Sequence, residues 1–284
     1  MGKKIAVTGA GGYIGRHVVK ALCDRGATVI AVDLHTEGLD PRSEKLSVDI
    51  FRDSTDIFRE LGFPDACLHM AWKDGFQHNA PAHMEMLSQH YRFFENLFSG
   101  GLKQLAVMGT MHEIGYYEGE VTEDTPCNPI SMYGIAKDAL RRSTICLAKE
   151  KNVCLQWLRA YYICGDDERN HSIFAKLTAA EKAGQKTFPF TSGKNKYDFI
   201  DIEELAQQIA ASVMQTEING IINCCTGVPV SLAEKVEGFL QEKNFAIKLD
   251  YGAFPDRPYD SPGIWGNNIK IRQIMENKDG IEEI

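Results

Sequence analysis

Tyr133 and Lys137 stand four residues apart in Tyr-Gly-Ile-Ala-Lys, near the start of a segment that reads as a long helix after Asn128-Pro129. On a helix that spacing puts the phenol and the ammonium on one face. A neighbouring cation stabilises phenolate and draws down a pKa that starts near ~10. A tyrosine so activated can pass a proton to or from a substrate oxygen. Taken alone, the spacing equally describes an ordinary surface pair. A second feature gives it context: Gly9-x-x-Gly12-x-x-Gly15 follows a short β-branched run, Lys4 to Thr8, and opens a helical pattern from Arg16 to Arg25. Such a turn lets backbone approach a pyrophosphate, whose charge meets N–H groups at the helix start. Asp33 closes the next apolar run, where a carboxylate accepts hydrogen bonds from an adenosine ribose diol. It would repel a 2′-phosphate, so NAD is preferred to NADP as the cofactor. Asp49, before Ile50 at the end of an apparent third strand, either holds the adenine amino group or is a surface carboxylate.

These residues need a scaffold, and the apolar pattern supplies one. Strand-like runs at Lys4–Thr8, Thr28–Val32, Ala66–Ala71, Gln104–Met108 and Val153–Arg159 alternate with helical patterns near Arg16–Arg25, Met84–Ser99 and Met132–Lys151. Repeated βα alternation with nearly continuous apolar strands predicts a parallel sheet covered on both faces. After Arg159 the character changes, with Gly-, Lys- and Asn-rich stretches, a helix near Ser172–Ala183 and an aperiodic segment at Asp250–Gly266. The expected fold is α/β, a Rossmann doubly wound parallel sheet with a small interleaved C-terminal substrate-binding cap. Residues 1–164 and 197–227 are expected to form the cofactor domain, and 165–196 with 228–284 the cap.

The 284 residues are 44% hydrophobic, enough to bury a sizeable core, and carry a formal net charge of −8. That balance disfavours a nucleic-acid or anionic-membrane partner, but not a small phosphorylated one. The eight cysteines include no Cys-x-x-Cys pair and mostly sit in apolar runs, as buried free thiols of a reducing compartment do. Without a signal-like N-terminus or a long apolar run, the sequence reads as cytoplasmic.

Together with Thr110, just past the Gln104–Met108 run, these features resemble the extended short-chain dehydrogenase/reductase family, whose NAD-dependent epimerases and dehydratases modify nucleotide sugars. Thr8-Gly-Ala-Gly-Gly-Tyr-Ile-Gly matches the cofactor turn (Gly9, Gly11, Gly12, Tyr13, Ile14, Gly15), and Asp33 its ribose acid. His69-Met-Ala-Trp matches the fourth-strand segment, implying that Met70, Ala71 and Trp72 border the cofactor and Lys73 the substrate. Thr110, Tyr133 and Lys137 match the catalytic triad. Leu158-Arg159 leads into Tyr161-Tyr162-Ile163, which in the family backs the nicotinamide. Tyr197 to Glu204 looks like the segment before the next helix, and Asp256-Arg257-Pro258 like the region whose Arg clamps a nucleotide-sugar diphosphate.

The resemblance implies chemistry at sugar C4. Thr110 would hydrogen-bond the C4 oxygen, Tyr133 exchange its proton, and Lys137 hold the nicotinamide ribose while depressing the Tyr133 pKa. Departures narrow this. The 4,6-dehydratases carry acidic residues directly after the triad Thr, where this chain has Met111 and His112, with Glu113 one step further. Dehydration is therefore not expected. His112 is either an extra acid/base in a substrate pocket or a hydrogen-bonded structural residue. Tyr162-Ile163 replaces a more usual Asn-Pro, and Tyr197 stands where Arg is frequent. The short chain favours a 4-ketoreductase acting on a nucleotide-linked 6-deoxy-4-ketohexose, whereas Asp33 fits a 4-epimerase with retained NAD; the balance leans to reduction. A non-catalytic dinucleotide-binding regulator and a reductase of an unrelated carbonyl are the readings outside this class. The long helices Met84–Ser99 and Met132–Lys151 pair two subunits in the family, so a homodimer is expected.

Overall fold

Short β-branched runs that alternate with amphipathic helices set the order of the elements. The computed structural model describes residues 2–165, 172–256 and 260–277. Its strands are β1 (Lys4–Thr8), β2 (Thr28–Asp33), β3 (Glu44–Ser47), β4 (Ala66–His69), β5 (Gln104–Thr110), β6 (Gly119–Val121), β7 (Cys154–Ala160), β8 (Tyr162–Cys164), β9 (Thr187–Phe190), β10 (Lys196–Asp201), β11 (Gly220–Cys224), β12 (Pro229–Ser231), β13 (Lys248–Tyr251) and β14 (Gly263–Gly266). The helices are α1 (Tyr13–Asp24), α2 (Ile57–Glu60), α3 (Ala82–Glu85), α4 (Leu87–Gly100), α5 (Met132–Lys151), α6 (Ile173–Lys182), α7 (Ile202–Met214), α8 (Leu232–Glu242) and α9 (Ile269–Glu276).

Seven parallel strands pair in the order β3-β2-β1-β4-β5-β7-β11. Helices α1, α7 and α9 cover one face, and α4 and α5 the other. This is the doubly wound Rossmann arrangement. The chain runs outward from β1 through β2 to β3, then crosses back to β4 on the other side of β1. The ends of β1 and β4, where Thr8 pairs with His69, therefore flank the switch point at which such sheets bind ligands. Strand β5 runs two residues beyond the expected Met108, so Thr110 closes the strand rather than following it.

A second sheet, β6-β14-β10-β12 with β8 on β10, packs around its own apolar cluster of Tyr161, Phe174, Phe199 and Ile264. Strands Gly119–Val121 and Lys196–Asp201, which fall largely within the expected cofactor-domain boundaries, lie in this second sheet because each pairs with Gly263–Gly266. Only β11 and α7 of residues 197–227 join the first layer system. Asp198 ties the two together: its buried carboxylate accepts from Thr226 N (2.9 Å), Thr226 Oγ1 (2.6 Å), Gly227 N (2.9 Å) and Gly266 N (3.1 Å). All eight cysteines are unpaired; Cys146 is exposed, and Cys67, Cys164, Cys224 and Cys225 are buried. No helix among the described residues is long and apolar enough to cross a membrane.

Candidate functional site

The glycine turn sits where β1 meets α1 and has no room for side chains. Gly9 has φ +71°, and a Cβ there would lie 2.5 Å from the Ala71 amide nitrogen, because the chain leaving β4 crosses the turn. At Gly11 a Cβ would lie 2.4 Å from the His35 carbonyl oxygen, and at Gly15 2.2 Å from that of Gly9. Tyr13, Ile14 and Gly15 form the first helical turn, whose N–H groups have no earlier carbonyl of the helix to bond. Asp33, at the end of β2, bridges this turn: one oxygen accepts from Gly11 N (2.9 Å), the other from His35 N (3.1 Å). The backbone cradle, the helix start and the carboxylate together fit a dinucleotide without a 2′-phosphate. Asp49 is exposed two residues beyond β3 and accepts from Phe51 N, while Ile50 is buried.

Beside the turn, β5 delivers Thr110 and α5 delivers Tyr133 and Lys137. Ser131 caps α5, its hydroxyl accepting from Gly134 N. The loop after β4 docks on the same helix start, with Tyr133 N donating to the His78 carbonyl (2.8 Å). Thr110 ends β5 near enough to the Tyr133 phenol for its hydroxyl to act on the phenol's pKa. Burial raises the Tyr133 pKa, and the neighbouring Thr110 hydroxyl works against that rise. Lys137 is buried, donates to the Met108 carbonyl (2.8 Å), and sits 3.8 Å from the centre of the Trp72 ring. Burial lowers its pKa, with the Glu113 carboxylate acting the other way.

Trp72 is the hub of an aromatic wall. It stacks on His90 (4.5 Å between ring centres, 19° between planes), and its indole N–H donates to His83 Nδ1 (3.0 Å). His83 Nε2 lies 2.9 Å from the Gln77 carbonyl, which makes Nε2 the protonated nitrogen. Behind the wall a buried chain runs from Thr8 Oγ1 to His69 Nδ1 and from His69 Nε2 to His90 Nδ1, each at 2.8 Å. Burial, and then Lys137, hold His90 down at about 3, so the ring behind Trp72 is neutral. Met70 N donates to the Thr8 carbonyl (3.0 Å), and Lys73 is exposed in the following loop.

On the other side of Tyr133, His78 stacks on the phenol ring (5.4 Å, 17°), and His112 lies 4.3 Å from His78 between ring centres. Burial, then His78, bring the His112 pKa down to about 4, so its imidazole meets a ligand neutral. Tyr162 extends this wall from His112 (6.4 Å) to Tyr197 (4.2 Å). The two departures at Tyr162 and Tyr197 thus occupy one place in space. Tyr161, expected beside the cofactor, is instead buried in the second cluster, its ring against Gly266. Ile163 packs against the first cluster. Arg257 lies outside the described residues. The sequence reading missed His78, in the loop after β4, and His83, on the single-turn α3, and gave Glu113 no role.

The sequence matches the model of the NAD dependent epimerase/dehydratase family over residues 5–225. It is 44% identical to the dTDP-6-deoxy-L-talose 4-dehydrogenase (NAD(+)) of Aggregatibacter actinomycetemcomitans over 92% of this chain and 98% of that protein. A UDP-glucose 4-epimerase of Lactobacillus helveticus is 23% identical over 99% of this chain and 93% of its own. Among solved structures, the UDP-N-acetylglucosamine 4-epimerase of Methanobrevibacter ruminantium superposes with a TM-score of 0.82 at 19% identity, covering 96% of this chain and 92% of that one. The Thermus thermophilus UDP-glucose 4-epimerase in complex with NAD gives 0.80 at 20% identity, covering 95% and 92%. The chain belongs to the NAD dependent epimerase/dehydratase family.

Proposed function

We propose that this protein is an NAD-dependent oxidoreductase at C4 of a nucleotide sugar, working as the 4-ketoreductase of a nucleotide-linked 6-deoxyhexose. The observation that carries this reading is the phenol of Tyr133 beside Thr110, one helical turn before Lys137, at the switch point next to the glycine turn. The 44% identity with a dTDP-6-deoxy-L-talose 4-dehydrogenase supports it and favours a thymidine diphosphate carrier.

The nicotinamide, when bound, supplies hydride to the C4 carbonyl or takes it from the C4 alcohol. Thr110 and Tyr133 hold the C4 oxygen between two hydroxyls. In reduction Tyr133 gives its proton to that oxygen, and the burial that raises its pKa keeps this proton on the phenol until it is needed. Lys137 places a positive charge on the same face of α5, which stabilises the phenolate left behind. His78, His112 and Tyr162 line the sugar side, with His112 held neutral by its burial. The division of labour we propose assigns the seven-stranded layer system to the cofactor and the second sheet with α6 and α8 to the substrate. Arg257 remains our candidate for the diphosphate clamp, and Asp49 for the adenine contact. We further propose a homodimer through α4 and α5, supported by the exposed Ile135 and Ile145 on α5. A cytoplasmic location suits eight unpaired cysteines.

The test is NADH oxidation with 4-keto-6-deoxyhexoses linked to dTDP, UDP, CDP and GDP. Turnover is expected, fastest with dTDP. Silence across the panel, with C4 epimers interconverting and no NADH consumed, would replace the reductase by an epimerase. Cofactor choice has its own test. Asp33→Ser is expected to raise the ratio of kcat/KM for NADPH over NADH by about tenfold or more, as loss of ~1.4 kcal/mol of repulsion gives. An unchanged ratio would remove Asp33 from the ribose site.

A further inference from the structure

Glu113 is fully buried, at the end of the single-turn helix Met111–Glu113 that follows β5. One of its oxygens accepts from the Thr110 backbone N–H (2.8 Å), and both accept from the Trp157 indole N–H (2.9 and 3.0 Å). In return the Thr110 hydroxyl accepts from His112 N (3.3 Å), so the short helix and the Thr110 side chain are fixed by one reciprocal set of bonds. The other oxygen faces two buried guanidiniums, Arg141 Nε on α5 and Arg159 Nη2 on β7, each at 3.6 Å. Neither of those nitrogens has a hydrogen-bond partner among the described residues. Among the described residues Arg159 otherwise reaches the Thr122 carbonyl and Asn223, while Arg141 is shared with Asp138 and Cys127. Lys137 and Tyr133 lie within electrostatic reach of the same carboxylate.

We propose that Glu113 is a positioning residue of the reaction: it fixes the Thr110 hydroxyl against Tyr133 and supplies the buried negative charge that Lys137, Arg141 and Arg159 share. Geometry separates these two duties. Reach governs the Thr110 bond, and charge governs the three cations. A carboxylate behind both members of the proton relay raises the pKa of each, since it opposes formation of phenolate and favours retention of ammonium. Removing that charge therefore lowers both values together. The unmatched guanidiniums of Arg141 and Arg159 push in the same direction. Around Tyr133 the remaining titratable groups are His78, His83 and His112, and near Lys137 they are His69 and His90; Tyr161, Cys127 and Asp138 complete the set near Glu113 and Arg141. Of these, Cys127 and Tyr161 also feel the Glu113 charge, a minor cause that raises both, so its removal lowers them in the same direction as Tyr133 and Lys137.

This inference rests on the proposed C4 chemistry for its kinetic arm only. Glu113→Gln keeps the size and loses the charge; Glu113→Asp keeps the charge and withdraws the oxygen from Thr110. For Glu113→Gln the entire pH profile of kcat is expected to move to lower pH, by about one unit. For Glu113→Asp the profile stays in place while kcat falls about tenfold and the substrate KM changes little. A structural role alone would not shift the profile. The second readout needs no turnover. The Lys137 ammonium lies over Trp72, so its deprotonation changes the Trp72 emission, and Trp72→Phe identifies that component. Glu113→Gln is expected to move this fluorescence midpoint to lower pH as well. A folded Glu113→Gln protein with both the profile and the midpoint at their wild-type positions would overturn the proposal. Should that variant not fold, Glu113→Asp decides: an unchanged kcat overturns it. If the wild type turns over no nucleotide sugar, the functional reading fails, and the fluorescence midpoint still tests Glu113.

Discussion

Tyr133→Phe is expected to lower kcat for the C4 reaction by roughly 10²- to 10⁴-fold, with NADH affinity and folding little changed. The ring's surroundings make this a clean subtraction. Tyr133 packs against His78 (17° between planes), His83 and the edge of Trp72, and a phenyl ring keeps every one of those contacts. What disappears is the hydroxyl facing Thr110, a change of about 1 kcal/mol or less in stability. Thr110 retains its backbone bond to Glu113 and its bond from His112. The measurement is kcat and KM on the best 4-keto substrate beside the NADH dissociation constant. Loss confined to kcat places the proton transfer at Tyr133. A kcat within threefold of wild type would remove Tyr133 from the chemistry.

Gly15→Ala carries the second large effect, on dinucleotide binding. A Cβ at Gly15 would sit 2.2 Å from the Gly9 carbonyl oxygen and 2.8 Å from that of Ala10. Both are backbone atoms of the turn itself, which also accepts the bond from Gly12 N and packs under Ala71. The clash can be relieved only by opening the turn or withdrawing α1 from the sheet, so overpacking costs about 1–3 kcal/mol of stability. A displaced helix start no longer points its N–H groups at the pyrophosphate. NADH affinity is expected to fall about 100-fold, read by calorimetric titration. Gly12→Ala is the internal control for the packing cost, since its nearest contact is 3.2 Å from a single oxygen, and its loss of stability should be much smaller. Equal effects at the two positions would mean that helix–strand packing does not shape the cofactor site.

Much of this was legible in the sequence because it depends on local rules. A β-branched run, a glycine turn, a helix and a terminal Asp define one βαβ unit, and the structure returns β1, α1, β2 and Asp33 within three residues of the expected limits. The Met132–Lys151 helix appears with those limits, and Thr110, Tyr133 and Lys137 converge. The second sheet was harder to read. Its strands β6, β8 and β12 are three residues each, too short for a period, and their pairing with β10 and β14 joins distant parts of the chain. Tyr161 shows the limit of alternation at a strand break: it lies in the gap between β7 and β8, and the next residue, not Tyr161, faces the His112 side. Glu113 had a readable signal. Thr110-Met-His-Glu113 has the spacing of a capping box, but a reading that searched for acids directly after the Thr passed over it. The buried ties of Asp198 carried no local signal, since their partners lie 28 and 68 residues away.

The central claim, hydride transfer at sugar C4, is tested most directly with NADH deuterated at the transferred position of the nicotinamide C4 and a dTDP-4-keto-6-deoxyhexose. The account predicts one deuterium at C4 of the product sugar for each NADH consumed, with one C4 configuration, and loss of that transfer in Tyr133→Phe. A product without deuterium at C4, or a sugar inverted at C4 with the NADH untouched, would contradict it.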